Sequence, residues 1–466
     1  MRDLGRPVLA AAAVVVCGAV MTILDTTIVN IAIDRLAVVF DSPLTTIQWV
    51  STAYLLALAA VIPLTGWAVD RFGTRRVFMS AIAVFTLGSI LSGAAWSAGT
   101  LIAFRVLQGL GGGMVMPVGM TILARAAGQD RMGRVMALVG IPMLLAPAAG
   151  PIVGGALVDG ATWRLIFFIN VPLGALTLAL AARILPRERP EGAGPLDLTG
   201  AALLSPGLAA LVLGLSGDGA PVALPAGALL IAAFARHALR TEHPLIDLRI
   251  LADRTVAAAT ATVLLFSGAF FGSMLLLALY YQLARDLSAL DAGLLLLPQA
   301  IGAMLTMPVA GKLTDRIGAG AIVMPGLALV AVGTVPFALV ARDVPGWLLG
   351  IGLVLRGAGM GATLMPAMAA AYQALPPAQV ARAASALEIV QRTGASIGIA
   401  LLALVLEHGL DGRTLSALED TPAAARGDLG DPMGTAFAWA LAVTAVAIVP
   451  ALLLPRRAPV PEPAPA

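Results

Sequence analysis

The stretch Gly66-Trp67-Ala68-Val69-Asp70-Arg71-Phe72-Gly73-Thr74-Arg75-Arg76 fills a short polar gap between two long apolar runs. A shortened copy, Gly311-Lys312-Leu313-Thr314-Asp315-Arg316-Ile317-Gly318, lies in a similar gap much further along the chain. Both contain the pattern Gly-x-x-x-Asp-Arg-x-Gly. A repeated turn of this kind between apolar helices indicates two related halves, and many secondary transporters are built from such repeats.

The composition is that of a membrane protein. The chain has 466 residues, of which 59% are hydrophobic and 12% are charged, and its mean hydropathy is +0.94. Soluble domains carry about 25% charged residues. Apolar runs of about 18 residues or more recur along the whole chain, and each can cross a bilayer as a helix. The sequence therefore predicts an all-α membrane protein with many spans.

We predict fourteen membrane-spanning helices from these runs. They cover 9–32, 46–69, 77–96, 100–124, 135–158, 163–184, 198–216, 222–239, 256–282, 289–311, 319–341, 346–371, 380–406 and 433–454. When basic residues at the ends of spans are counted with the adjacent loop, 20 fall on the side of the two termini, 6 fall on the other side and 3 lie deeper inside spans. Because basic loops favour the cytoplasmic side, we expect both termini to be cytoplasmic.

The repeat indicates two inserted helices. The Gly-x-x-x-Asp-Arg-x-Gly turn follows the second span, and its copy follows the tenth. A second related pair, Arg105-Val106-Leu107-Gln108-Gly109 and Arg356-Gly357-Ala358-Gly359, has the same offset of eight spans. Two six-helix halves would give an offset of six, so the seventh and eighth spans are predicted to be an insertion. The predicted domains are a six-helix bundle over 1–185, a linker with the inserted pair over 186–253, and a second six-helix bundle over 254–466.

The sequence gives no sign of an enzyme, a cofactor site or a nucleic-acid binder. The net charge is +3, and the basic residues are spread over short loops. Cys17 is the only cysteine, and His237, His243 and His408 have no spacing typical of metal ligands. No nucleotide-binding motif is present, so we expect an ionic driving force. The basic N-terminus could open a signal peptide, but its apolar run continues as far as Asn30, too long for a cleaved leader.

Five stretches, in order along the chain, resemble the fourteen-helix drug:proton antiporters of the major facilitator superfamily. They are Leu24–Ala32, Gly66–Arg76, Arg105–Gly113, Gly140 with Pro147–Gly155, and Trp163–Pro172. The chain departs from that family at Asp34, where proline is usual, and at Ala146, where glycine is common. The resemblance implies the major facilitator fold, with two six-helix bundles plus two inserted helices.

The resemblance also implies proton-coupled efflux of amphipathic, cationic compounds by alternating access. The expected partners are a small amphipathic substrate, protons and the lipid bilayer, with no nucleic acid, for a monomer in the cytoplasmic (inner) membrane. Two alternatives stay open: a dedicated exporter of one endogenous metabolite, and a non-transporting membrane receptor on the same fold. Proton-coupled counterflow would separate transport from reception, and a substrate panel would separate broad from narrow export.

Asp25 and Arg105 are the first candidates for proton coupling or substrate binding. Asp25 lies in an apolar run as an apparently isolated carboxyl group, and an ionisable group at that depth indicates function. Desolvation favours a protonated carboxyl and a nearby cation favours the ionised form, so one aspartate can exchange a proton for a cation. The alternative is a structural aspartate bonded to a neighbouring helix. Arg105 keeps its charge when buried and therefore needs an acceptor; the resemblance implies proton transfer or a tie between the fourth and first spans.

Glu388 is a second acidic candidate for the same role. It lies four residues before Arg392, a spacing that lets the two side chains pair on one helix face. One interpretation is therefore a self-neutralising local ion pair. The other is a second protonatable or cation-binding group facing the substrate cavity, which the resemblance favours.

The two loop motifs are interpreted as gates rather than binding sites. An aspartate at a helix end can interact with a facing helix N-terminus, and arginines can bridge to acids of the other half. The alternative is ordinary positive charge on the cytoplasmic side. The predicted gating residues are Asp70, Arg71, Gly73, Arg76, Asp315 and Arg316. The resemblance further implies an antiporter motif at Gly150, Pro151, Gly154 and Gly155.

Overall fold

The structure is a computed structural model, and within the part that it describes the regular structure is entirely helical. It describes residues 5–160, 162–187, 194–215, 220–340, 344–376, 379–410 and 429–456. The first repeat contains α1 (Arg6–Ile31), α2 (Ile33–Val39), α3 (Leu44–Val61), α4 (Leu64–Phe72), α5 (Thr74–Gly93), α6 (Ala98–Ala127), α7 (Met132–Gly160), α8 (Leu165–Phe168) and α9 (Asn170–Ile184).

The remaining helices comprise the predicted insertion and the second repeat. The inserted pair is α10 (Leu198–Leu215) and α11 (Ala220–Arg240). The second repeat contains α12 (Arg254–Leu279), a π-helical turn (Tyr280–Ala284), α13 (Ala289–Leu295), α14 (Leu297–Ile317), α15 (Gly320–Ala338), α16 (Gly346–Ala374), α17 (Val380–His408) and α18 (Gly430–Ala451). Two 3₁₀ turns, Gln129–Arg131 and Leu248–Ala252, precede α7 and α12.

Prolines divide two spans that the sequence predicts as continuous. The predicted second span, 46–69, consists of α3 and α4, and Pro63 lies at the junction. The predicted tenth span, 289–311, consists of α13 and α14, and Pro298 is the second residue of α14. Proline has no N–H to donate to the preceding turn, so the helical hydrogen bonding is interrupted at both places, while the backbone at Pro63 and Leu296 keeps helical angles.

Many of these helices are suited to a bilayer. Among the described residues, twelve helices are long and apolar enough to span a membrane, and two further apolar helices, Met132–Met143 and Leu198–Gly214, are shorter. The chain is thus a multi-pass helical membrane protein, and the number fourteen stays a prediction.

The chain forms two compact units. The first contains 1–129, 142–250 and 375–389, and the second contains 130–141, 251–374 and 390–466. In the first unit α6 packs on α1, α3 and α5, while α9 packs on α1 and α5. In the second unit α16 packs on α12, α14 and α15, while α18 packs on α12 and α15. The two packing patterns correspond helix for helix at the eight-span offset of the repeat.

The inserted pair belongs to the first unit. Its two helices pack on each other, and α10 also packs on α3. The insertion is therefore packed against the first repeat through the contact of α10 with α3.

Candidate functional site

Asp25 is completely buried near the end of α1. The hydroxyl groups of Thr22, Thr26 and Thr27 donate to carbonyl oxygens of their own helix, at Ala19, Thr22 and Leu24. Threonine hydroxyls that bond back to the preceding turn are satisfied within their helix. The partners of the carboxylate consequently come from other helices.

Three side chains donate hydrogen bonds to the Asp25 carboxylate. Arg105 of α6 donates from Nη1 to Oδ2 at 2.6 Å, and Gln108 of the same helix donates from Nε2 to Oδ1 at 2.8 Å. Asn170, the first residue of α9, donates from Nδ2 to Oδ1 at 2.7 Å. Asp25 is therefore not the isolated carboxyl that its sequence context suggests, because its partners lie 80, 83 and 145 residues away.

Arg105 connects three helices. It is 1% exposed, and its Nε donates to the carbonyl oxygen of Val50 in α3 at 3.1 Å. Its Nη1 also donates to Oε1 of Gln108 at 2.7 Å, and its guanidinium carbon lies 4.0 Å from the centroid of the Tyr54 ring. A buried ion pair is stable only when further hydrogen bonds satisfy both charges. This network supplies them and ties α6 to α1 and α3.

Gln108 and Asn170 belong to this site, although they were not among the site residues predicted from sequence. The available signal was a polar amide within an apolar helix at each position. Asn170 also donates to Oγ of Ser89 at 3.0 Å, and Ser89 donates to the carbonyl oxygen of Phe167 at 2.9 Å. Oδ1 of Asn170 is buried and has no hydrogen-bond partner among the described residues. An amide offers donors on one side and an acceptor on the other, so Asn170 can interact with either protonation state of a carboxyl group.

Two glycines of the predicted antiporter motif, Gly150 and Gly154 in α7, lie against the helix that carries Asp25. A Cβ atom at Gly150 would overlap the hydroxyl of Thr27, and one at Gly154 would lie 3.4 Å from Ile28. Small residues allow helix backbones to approach closely in membranes. Gly150 and Gly154 therefore admit α7 beside the Asp25 segment. Pro151 and Gly155 of the same motif lie outside the residues whose surroundings are described.

The second repeat contains a related network around Arg356. This arginine of α16 is 1% exposed and donates to Thr334 Oγ1 at 2.6 Å, Ser273 Oγ at 2.6 Å and Gln299 Oε1 at 3.3 Å. Its guanidinium carbon lies 5.6 Å from the centroid of the Phe270 ring. All three acceptors are neutral, so the described residues give Arg356 no acidic partner.

The offset between the motif copies relates some members of the two networks. Gly66 and Gly311 are 245 residues apart, and the same offset relates Ser89 to Thr334 and Tyr54 to Gln299. Two pairs of residues near the buried arginines therefore share the motif offset, while Arg105 and Arg356 themselves are 251 residues apart. The two networks differ in that only the first network contains a carboxylate.

Glu388 does not belong to the Asp25 network. It lies half-buried in α17, and Arg392, one turn further along, is exposed. The structure therefore brings Asp25 and Arg105 together and keeps Glu388 in a separate environment.

Both loop motifs end in a glycine with a left-handed backbone. Gly73 has φ of 83° and Gly318 has φ of 88°, and each ends a helix, α4 or α14. Side chains with a Cβ rarely adopt this conformation. The final glycine of the motif is thus required by the turn that follows the helix.

The motif aspartates form ion pairs with arginines at the starts of other helices. Asp70 accepts a hydrogen bond from Nε of Arg382 at 3.2 Å, and Asp315 accepts one from Nε of Arg134 at 2.9 Å. Asp315 also accepts from the backbone N–H groups of Gly133 and Arg134, at 2.8 and 3.2 Å. Anions are stabilised at helix N-termini. Each ion pair joins a motif of one repeat to a helix of the other.

The motif arginines have a different environment. Arg71, Arg76 and Arg316 are exposed, while Arg75 donates to the carbonyl oxygen of Ala182 at 2.6 Å. Among the described residues, the ion pairs at these motifs run from helix arginines to the loop aspartates, and bridges from the loop arginines to acids stay a prediction.

Comparison with known proteins agrees with this architecture. The family model described as Major Facilitator Superfamily matches residues 15–399. A multidrug resistance protein B homolog of Mycobacterium tuberculosis is 46% identical over 414 residues, covering 86% of this chain and 76% of that protein. A putative multidrug resistance protein, MdtD, of Cronobacter sakazakii is 30% identical over 475 residues, covering 98% of this chain and 96% of that protein.

Solved structures show the same fold at low sequence identity. The human organic anion transporter MFSD10 superposes with a TM-score of 0.62 at 18% identity, covering 94% of this chain and 100% of that chain. The proton:xylose symporter XylE superposes with a TM-score of 0.63 at 14% identity, covering 95% of this chain and 94% of that chain. The family match, the relatives and the repeated packing of α-helices together establish that the chain belongs to the major facilitator superfamily of membrane transporters.

Proposed function

We propose that this protein is a proton-coupled exporter of amphipathic, cationic drugs or toxic compounds, and that it works by alternating access. The proposal rests mainly on the buried ion pair of Asp25 and Arg105, two ionisable residues within membrane helices. The relatives named multidrug resistance proteins support the substrate class. In this proposal the protein is a monomer in the inner membrane, with cytoplasmic termini, fourteen spans and the three predicted domains.

Asp25 would couple the proton to conformation through Arg105. In the ionised state the carboxylate balances the guanidinium and accepts bonds from Gln108 and Asn170. Protonation would remove that balance and leave Arg105 buried without a counter-charge, which costs several kcal/mol. A rearrangement of α1 against α6 would relieve this cost. A cation entering the site would compete with Arg105 for the ionised carboxylate and so favour release of the proton.

The two motif ion pairs would gate the cytoplasmic end. Asp70 with Arg382 and Asp315 with Arg134 each join elements of different repeats. Alternating access moves repeats against each other, so both pairs would have to break in one of the two states. Gly73, Arg71, Arg76 and Arg316 would support these turns.

Glu388 would supply a second acidic group for divalent or bulky cations. It is half-buried in a membrane helix, where an ionisable group indicates function. Gly150 and Gly154 would allow α7 to move closely against α1.

Reconstituted protein tests this function. Proteoliposomes containing a pH-sensitive dye would be given an outward-directed or inward-directed pH gradient and a panel of lipophilic cations, neutral amphiphiles and anionic metabolites. Substrate-dependent proton flux with several unrelated cations supports multidrug export. Flux with a single metabolite would indicate a dedicated exporter, and no flux or counterflow with any compound would indicate a receptor.

A further inference from the structure

Asp197 joins the two linkers of the inserted helix pair. It precedes α10, and its Oδ1 accepts from the N–H of Gly200 at 2.7 Å and lies 2.8 Å from Nε2 of His237 in α11. Its Oδ2 accepts from the N–H of Leu245 at 3.1 Å. One carboxylate therefore connects the start of α10, the end of α11 and the linker that follows α11.

The same linkers contact the first loop motif. The indole Nε1 of Trp67 in α4 donates to the carbonyl oxygen of Gly194 at 3.1 Å. Trp67, Gly194, Asp197 and Leu245 line one small cleft, and Arg382, the partner of Asp70, lines it too. The insertion is thus adjacent to both elements of that ion pair, α4 and the start of α17.

Apolar packing also places the insertion against α4 and α17, independently of the hydrogen bonds. One buried cluster contains Leu204 and Leu208 of α10, Phe234 and Ala238 of α11, and linker residues Leu245 and Ile246, together with Ala59 of α3. The partly buried residues packed against this cluster include some from both elements of the ion pair. Leu64 and Trp67 come from α4, and Ala386 and Ile389 come from α17.

The second motif copy lacks this arrangement. Lys312 stands at the position equivalent to Trp67, since Gly311 is equivalent to Gly66. Lys312 is exposed, and an ammonium group cannot reproduce both the ring packing and the single indole donor. The tryptophan occurs only in the copy that contacts the insertion.

We propose that the inserted helix pair is a latch on the Asp70–Arg382 gate, with Trp67 and Asp197 as its positioning residues. The inference rests on the proposed gating role of that ion pair. Since α4 and the start of α17 would separate when the gate opens, the insertion could keep its contacts with only one of them. Because the insertion contacts both α4 and the start of α17 while the gate is closed, it would stabilise the closed form of the Asp70–Arg382 gate. The Asp315–Arg134 gate would have no such support.

The test measures the gate directly in the full-length protein. Cys17→Ser removes the native cysteine, and spin labels are attached at Ala126 and Gln379, two exposed positions outside the gate. The distribution of distances between the two spin labels is then measured without substrate in lipid nanodiscs. The readout is the ratio of the long-distance population to the short-distance population. Trp67→Phe keeps an aromatic ring and removes the donor to Gly194. We expect the ratio to rise about two- to tenfold, the effect of losing one neutral hydrogen bond.

Three further variants complete the experiment. Asp197→Asn should shift the ratio in the same direction, Trp96→Phe at an exposed tryptophan of the opposite end should leave it unchanged, and Asp70→Asn should shift it by opening the gate itself. If Asp70→Asn shifts the ratio while Trp67→Phe and Asp197→Asn give the same ratio as Trp96→Phe, the proposed role of the insertion is wrong. The proposed gating role of the Asp70–Arg382 ion pair is then still supported. If Asp70→Asn leaves the ratio unchanged, the proposed gating role of the ion pair is wrong, and so is the role of the insertion that rests on it.

Discussion

Ser273 occupies in α12 the position that Asp25 occupies in α1. Each is the twentieth residue of its helix, counted from Arg254 and Arg6, and each accepts a hydrogen bond from the buried arginine of its repeat. The second repeat thus keeps the arginine and replaces the acid by a hydroxyl group. This difference makes the first repeat the place to expect proton coupling.

Ser273→Asp should create a second buried ion pair. A carboxylate beside Arg356 supplies the counter-charge that its described partners lack, and hydrogen bonds to charged groups contribute about 1.5–3 kcal/mol. We expect Ser273→Asp to melt at a higher temperature than Ser273→Asn, which has nearly the same size without the charge. Thermal unfolding in detergent at neutral pH measures the difference. Equal melting temperatures for the two variants would contradict the inferred lack of a counter-charge.

Removal of Arg105 should destabilise the protein more than joint removal of both charges. Arg105→Gln leaves the ionised Asp25 buried without its partner, a change that costs about 3–5 kcal/mol in comparable ion pairs. Asp25→Asn combined with Arg105→Gln leaves no uncompensated charge and should recover part of that loss. A double-mutant cycle on thermal stability gives the coupling between the two residues. If the effects of the two single substitutions on stability simply add in the double variant, the ion pair contributes nothing to stability.

Asp70→Asn should impair transport while insertion and substrate binding are retained. The substitution removes the charge that pairs with Arg382, and the motif lies at the ends of its helices. The paired exchange Asp70→Arg with Arg382→Asp should restore part of the transport rate, measured in proteoliposomes at equal protein content. Wild-type rates in Asp70→Asn would support the alternative that the motif supplies only positive charge on the cytoplasmic side.

Gly133→Ala should weaken the second gate. A Cβ at this position would lie 2.5 Å from the carbonyl oxygen of Gly311 and 2.8 Å from Oδ1 of Asp315, so α7 and α14 would have to separate. The matched control is Gly350→Ala in α16, where a Cβ has no neighbour within 4 Å. We expect a lower transport rate for Gly133→Ala and a rate near wild type for the control. Equal rates would mean that close approach at this gate is not needed.

Asp197 gives the linkers a defined pH dependence. Burial raises the pKa of Asp197, but hydrogen bonds from Gly200, His237 and Leu245 outweigh it, and the net pKa lies below its ordinary value. A lowered pKa means that the stabilisation is complete at neutral pH and is lost as pH falls through the folded-state pKa. Asp197→Asn should therefore speed trypsin cleavage of the linker after α11 at pH 7. Glu242→Gln, at an exposed acid of that linker, should not.

The repeat and the membrane helices could be predicted from sequence, and the site only in part. Hydropathy located the apolar runs, because span length is fixed by the bilayer, but it missed the break at Pro63. The acid Asp25 and the base Arg105 were each evident as charges in apolar runs. The resemblance implied a tie between the fourth and first spans, but no local pattern identifies Asp25 as the acceptor, since the two side chains lie 80 residues apart in sequence. Likewise, the bond between Asp70 and Arg382 spans 312 residues, and no local pattern encodes it.

Asp25→Asn is the decisive variant for the proposal that Asp25 couples proton movement to export. The substitution removes the titratable group and nearly keeps its shape, so Gln108 and Asn170 retain a hydrogen-bonding partner. In proteoliposomes with an imposed pH gradient, the wild type should concentrate a monovalent cationic dye against its own gradient. The Asp25→Asn protein should fail to do so while still exchanging dye downhill. Uphill accumulation of the dye by Asp25→Asn would show that Asp25 is not the proton-coupling residue, and Glu388 would be the next residue to test.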